Sequence, residues 1–335
     1  MRSLPGHPYN IKAKMTRCIV WAQRMVFSRI LHRISLHAPL PCNFVGDDAN
    51  QAIYNLLQAP SPCMIARFGA VEMNAILRYL DITASGWKLT KIAKMCVGQS
   101  GPFWWDNSIL ASLTWQAGVF PPTFETLNRF ARRALEDSRE IDLLAGWLAG
   151  EKRLQRQFFP SVKSFPLNHF EPYWSATPWS AALKGKTVLL VHPFEKTIQV
   201  QYKKRQFLFK DPNVLPDFTL KTYKTVSSLA GNETPFSDWI EALDYMCDDI
   251  AKISFDIAII GAGAYGMSIA AFIKRELRRK AVHMGGATQL LFGIKGNRWD
   301  QRPQWRDALY NAHWIRPLPE DIVERTTTVE NSAYW

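Results

Sequence analysis

Three glycines, Gly261, Gly263 and Gly266, follow directly on the apolar, β-branched run Ile257–Ile260, and a small-residue amphipathic run from Met267 to Lys274 comes next. That order reads as strand, tight turn and helix. Glycine lets the backbone approach a ligand closely, and the first amides of the helix then face an anion. The same reading at other strand ends collects more residues with chemistry to offer. Arg67, Gly69 and Glu72 follow Cys63–Ala66, His169 and Glu171 follow a run from Phe165, and His192 and Glu195 follow Thr187–Val191. His283, Gly285, Gly286 and Thr288 close the run from Lys280, with Lys295, Arg298 and Trp299 just beyond. Arginine suits bidentate phosphate recognition, and carboxylate with imidazole suits proton transfer or metal binding. Ligands of open α/β sheets lie beyond the carboxyl ends of the strands, where all these residues fall. The bland alternatives are structural histidines, a solvated basic loop and glycines that merely permit close packing.

A Gly-x-Gly-x-x-Gly turn also suggests a dinucleotide. That reading needs an acidic residue about 20 positions on, to hold a ribose. The next strand candidate, Lys280–Met284, ends in Gly285-Gly286 and offers His283 but no carboxylate. A phosphate or nucleotide-sugar ligand fits the residues better.

The elements that must position these groups alternate along the chain. Helices are expected at Asp48–Gln58, with Asp47 or Asp48 as cap, and at Ala70–Leu80, Ser108–Ala117, Phe124–Ser138, Glu151–Phe158, Lys196–Phe209 and Phe236–Lys252. Asp106 is a candidate cap for the run from Ser108. Strands are expected at Cys63–Ala66, Asp142–Trp147, Phe165–His169, Thr187–Val191, Phe218–Thr222, Ile257–Ile260 and Lys280–Met284. Such alternation predicts an α/β fold, Rossmann-like, with a mostly parallel sheet flanked by helices.

The 335 residues, 47% hydrophobic, are enough to bury a substantial core. Five cysteines at 18, 42, 63, 96 and 247 form no CxxC pair, which suits a reducing cytoplasm. Among 13 tryptophans, Trp104, Trp105 and Trp299 stand near glycine and polar residues, where they could stack on sugars. The net charge of +12 is concentrated at the start: Arg2, Lys12, Lys14, Arg17, Arg24, Arg29 and Arg33 precede the first acid, Asp47. Ile19, Val26 and Ile30, with Val20, Phe27, Leu31 and Ile34, share one helical face. Residues 10–36 therefore read as a basic amphipathic helix, suited to an anionic membrane surface or to packing on its own domain. The expected organisation is this segment, 1–46, followed by one α/β domain, 47–335. No run spans a membrane, and no nucleic-acid module is present.

The stretch Met64-Ile-Ala-Arg-Phe-Gly-Ala-Val-Glu72 resembles the Arg-Phe-Gly-Asp-Gly-Glu strand-to-helix motif of the GT-D fold glycosyltransferases. The segments Gly261-Ala-Gly-Ala-Tyr-Gly266 and His283-Met-Gly-Gly-Ala-Thr-Gln289 look like those of bacterial polysaccharide proteins. The resemblance covers two islands, roughly residues 60–80 and 255–300. It implies sugar transfer from a nucleotide-sugar donor to a glycan or lipid-linked acceptor in bacterial cell-envelope polysaccharide synthesis. The enzyme would be cytoplasmic, with Mn²⁺ or Mg²⁺ as cofactor, and the basic helix at residues 10–36 would hold it at the inner face of the membrane near lipid-linked acceptors. The family's Asp-x-Glu pair falls at Ala70-Val71-Glu72, so one carboxylate is missing and the metal, held through Glu72, is the expectation most exposed.

On this reading Glu72, His192 and Glu195 carry the chemistry, with Glu72 orienting metal or acceptor and His192 or Glu195 acting as base. Arg67, Gly69, Gly261, Gly263, Gly266, His283, Gly285, Gly286, Lys295 and Arg298 would bind the donor. Two other classes stay open: a non-catalytic component of a polysaccharide assembly complex, and an NAD(P)- or flavin-dependent oxidoreductase.

Overall fold

The structure, a computed structural model, describes residues 40–96, 101–322 and 333–335. The basic segment expected at residues 10–36 lies outside the described residues. The chain divides into a larger unit, Pro39–Ile76 with Asp106–Trp335, and a smaller one that includes Leu77–Trp105.

The larger unit is α/β and Rossmann-like. Its strands are β1 (Met64–Ala66), β2 (Leu143–Gly146), β3 (Lys163–Pro166), β4 (Thr187–Val191), β5 (Thr219–Tyr223), β6 (Ile257–Ile260) and β7 (Lys280–His283). They form one parallel sheet in the order β3-β2-β1-β7-β6-β4-β5. Strands β1, β2 and β6 are buried at every position, as expected of a parallel sheet covered on both faces. Edge strand β5 keeps Lys221 part-exposed, a charge that discourages pairing with another sheet.

Register decides what the sheet can present. Ala66 pairs with His283, His283 with Ile260, and Ile260 with Val191. Four strands therefore end level. The residues that follow them, Arg67, Met284, Gly261 and His192, emerge side by side at one edge.

The helices that matter here are α1 (Asp47–Gln58), α2 (Ala70–Thr83), α3 (Lys88–Cys96), α4 (Asn107–Ala117), α5 (Phe124–Asp137), α6 (Glu151–Phe158), α7 (Glu195–Tyr202), α8 (Trp239–Ala251) and α9 (Tyr265–Arg275). Asp106 caps α4 as expected, its carboxylate accepting from the amides of Ser108 at 3.0 Å and Ile109 at 3.1 Å. The cap of α1 differs from expectation. Gly46 holds that position without a side-chain bond, and Asp47 Oδ1 instead accepts from Ser175 Oγ at 2.7 Å.

Three further elements depart from the sequence reading. The strand expected at Phe165–His169 ends at Pro166, and Leu167–Phe170 turns as a 3-10 helix. His169 consequently leaves the strand end, and its Nε2 accepts from the Gly46 amide at 3.1 Å. Helix α7 stops at Tyr202 instead of Phe209. Beyond it the chain is held by tertiary contacts, Asn311 Nδ2 donating to the carbonyls of Phe207 and Leu208, both at 3.1 Å. Helix α3, in the smaller unit, has no counterpart in the sequence reading. Among the described residues, no helix is long and apolar enough to cross a membrane.

Candidate functional site

A cavity of about 610 Å³ opens at the carboxyl edge of the sheet. The level strand ends supply Arg67, His192, Gly261 and His283 to its wall, and the segments that follow add Gly69, Glu72, Gly263, Gly285, Gly286 and Arg298. With Glu171 and Trp299, twelve residues chosen by strand-end logic thus meet in one place.

Arg67 is the centre of the polar wall. Its guanidinium lies 5.2 Å over the Trp147 ring, a cation–π contact. Its Nε is buried and has no hydrogen-bond partner among the described residues. Burial disfavours the guanidinium charge, while Glu72, Tyr334 and Glu151 favour it. Trp147 follows β2, and its indole Nε1 donates to the Phe68 carbonyl at 2.9 Å. Glu151 Oε2 accepts from the amides of Trp147 at 2.8 Å and Leu148 at 3.1 Å, which fixes the chain that carries the indole. Neither Trp147 nor Glu151 was singled out from sequence. Trp147 had the same signal as the others, a position just past a strand end.

The glycines are explained by what surrounds them. Gly285 has φ +66°, and a side chain there would press on the Arg67 guanidinium at 3.2 Å. Gly263, at φ +53°, makes the turn before α9. A Cβ at Gly261 would lie 2.6 Å from the His192 ring, and one at Gly286 would lie 2.5 Å from Tyr334. Gly266 is inside α9 and does not line the cavity; a Cβ there would meet the His283 ring at 2.2 Å. Its role is to let α9 close on β7.

The turn offers fewer amides than expected. Gly261 N–H continues the sheet ladder to Val191 O, and the Tyr265 and Gly266 amides bond back to Ala262 and Gly263 carbonyls. The amides of Ala262, Gly263 and Ala264 are those left to the turn.

Both histidines are neutral. Burial pushes His192 and His283 down to about 3, with the Arg67 charge adding to the effect at His283. His192 Nδ1 accepts from the Phe194 amide at 3.0 Å, so the ring proton is on Nε2. In that form His192 donates a hydrogen bond and has no free lone pair with which to act as the expected base. Glu195 is a correction of another kind. It is the first residue of α7 and does not line the cavity, and its Oε1 accepts from Thr222 Oγ1 at 2.7 Å. Lys295 also turns elsewhere, its ammonium 5.3 Å over the Tyr310 ring. The expected two-cation clamp becomes Arg298 with Arg302, a residue not read from sequence. Trp104 and Trp105 belong to the smaller unit, whereas Trp299 is buried in the cavity wall.

Glu72 folds back toward the start of α2, where a Cβ on Gly69 would fall 1.9 Å from its Oε2. Burial raises its carboxyl above the usual range, while its own backbone amide and Arg67 pull it down. As a metal ligand it stands alone. Among the described residues no group of three or more His, Cys, Asp or Glu could hold a metal ion. One carboxylate beside a guanidinium does not fit a resident divalent cation, because the Arg67 charge repels it.

The remaining wall comes from the far end of the chain. Tyr334 and Trp335 line the cavity, and the Arg298 guanidinium lies 4.7 Å over the Tyr334 ring. Gln289 Nε2 holds the segment by donating to the Tyr334 carbonyl at 3.1 Å. No local pattern in the sequence marks these residues.

Comparisons of the chain with protein-family models, with curated proteins and with solved structures found no significant match.

Proposed function

We propose that the cavity binds a nucleotide sugar and that the protein transfers its sugar to a glycan or lipid-linked acceptor in envelope polysaccharide synthesis. The observation that carries the ligand class is a set of buried polar atoms without partners. Arg67 Nε, Gln289 Oε1 and Trp335 Nε1 all belong to cavity-lining residues, and none has a hydrogen-bond partner among the described residues. Buried polar groups are normally paired, and leaving one unpaired costs about 1–3 kcal/mol. A ligand rich in oxygen, with an anionic group at Arg67, would satisfy them. The aromatic residues around it, Trp147, Phe194, Trp299, Tyr334 and Trp335, suit a base or a sugar face.

In the proposed reaction the bond between the anomeric carbon and the diphosphate breaks, and its electron pair goes to the diphosphate oxygen. Arg67 and Arg298 would stabilise that developing charge, with the Ala262–Ala264 amides and His192 Nε2–H as neutral donors. No step runs through a metal, since the donor set does not suit one. Mn²⁺ dependence is nonetheless part of the test. Release of nucleoside diphosphate from UDP-sugars should be measured in wild type and Arg67→Ala, with and without Mn²⁺. Loss of a charge-assisted bond of about 1.5–3 kcal/mol predicts roughly 10- to 100-fold weaker donor binding in the variant. Turnover unaffected by Arg67→Ala would contradict the proposal.

A further inference from the structure

The reaction leaves the acceptor's proton without a recipient. His192 carries its proton on the nitrogen that is free, Glu195 lies off the cavity, and Glu72 is folded onto its own helix beside Arg67. One other carboxylate lines the cavity, Glu171.

Glu171 follows the 3-10 turn Leu167–Phe170, a segment carried past the end of β3. Its Oε2 accepts from two indoles, Trp174 Nε1 at 2.9 Å and Trp305 Nε1 at 3.1 Å. The two rings meet edge to face at 5.8 Å, so the carboxylate is gripped by a rigid aromatic pair. Trp174 is 41% exposed. Trp174 does not itself line the cavity but is bonded to Glu171, which does, and a large apolar ring left in solvent there is suited to the apolar face of a sugar. Arg302, which also lines the cavity, covers the Trp305 ring at 5.3 Å.

Resting on the donor reading above, we infer that Glu171 is the general base of the transfer and that Trp174 and Trp305 form the acceptor-sugar subsite around it. The acceptor hydroxyl oxygen forms the new bond to the anomeric carbon as the bond to the diphosphate breaks. Its proton passes to Glu171 and then to solvent. The arrangement divides the cavity by charge: cations receive the leaving group, and a carboxylate receives the incoming hydroxyl. Burial raises the Glu171 carboxyl above its usual range, which strengthens it as a base, and the two indole bonds oppose the rise by stabilising the ionised form. Tyr173 and Arg302 also face it, and both favour its ionised form.

The test compares wild type, Glu171→Gln and Trp174→Phe, using UDP-sugars as donors and an octyl glycoside as acceptor, across a range of pH. Glutamine still accepts the indole bonds, so the pair should hold its shape. Glu171→Gln should lower transfer by about 10²–10⁴-fold and abolish the acid limb of the pH profile, with thermal stabilisation by the UDP-sugar unchanged. Trp174→Phe, by removing one donor to the carboxylate, should move the acid limb to higher pH. Wild-type transfer and pH profile in Glu171→Gln, with donor stabilisation intact, would overturn the assignment and leave the donor reading standing. No UDP-sugar stabilisation of the wild type would overturn both.

Discussion

Glu151 is fully buried, yet its Oε1 has no hydrogen-bond partner among the described residues. Burial pushes its carboxyl from 4.5 up to about 7, against the pull of the Trp147 and Leu148 amides and of Arg67. A folded-state value above the unfolded one means that the native state holds a proton the unfolded chain has lost. Stability should therefore decline as pH rises from about 4.5 to about 7, by at most on the order of 3 kcal/mol, and then level off. Glu151→Gln keeps an acceptor for the Trp147 amide and cannot ionise. Its melting temperature should lack that decline, so the variant gains on wild type between about pH 5 and about pH 8. Parallel melting curves at both pH values would show that Glu151 is not held in the way described. The same scale separates residues by type. Arg67 was legible because an arginine at a strand end has few structural uses, whereas Glu151 looked like an ordinary first-turn helix residue.

At the level of elements, the strand–turn–helix unit β6–α9 was readable because its apolar run, glycines and small-residue helix each need their neighbour. What the pattern could not show was which of the three glycines faces a ligand. Gly261 and Gly263 line the cavity, while Gly266 faces His283 inside the fold. Gly266→Ala would drive a methyl group into a rigid ring held between α9 and β7, and overpacking of this kind costs about 1–3 kcal/mol. Chemical denaturation should register that loss. If the variant is as stable as wild type, the α9–β7 contact is looser than the structure shows. The strand expected through His169 failed at Pro166, where the chain leaves the sheet and turns. That turn is also what delivers Glu171 to the cavity, so the departure from pattern coincides with the proposed acceptor side.

For the molecule as a whole, alternation of strands and helices was enough to give an α/β parallel sheet. It was not enough to order it. The last strand, β7, inserts between β1 and β6, and this places the motif at Arg67 beside the motif at Gly285 across more than half the chain. Residues from both islands of resemblance meet at one edge only because of that insertion. The return of Tyr334 and Trp335 to the same cavity depends on long-range bonds from Gln289 and Arg316, which local sequence does not encode. The central claim, a site for a nucleotide sugar, is most directly tested by thermal stabilisation of the full chain. The panel would hold nucleoside diphosphates, nucleotide sugars and NAD(P), each with and without Mn²⁺. A ligand at a hundred times its dissociation constant adds about 2.7 kcal/mol. The account predicts such a shift with a nucleotide sugar, retained without Mn²⁺ and lost in Arg67→Ala. Stabilisation by NAD(P) alone, or by nothing in the panel, would contradict it.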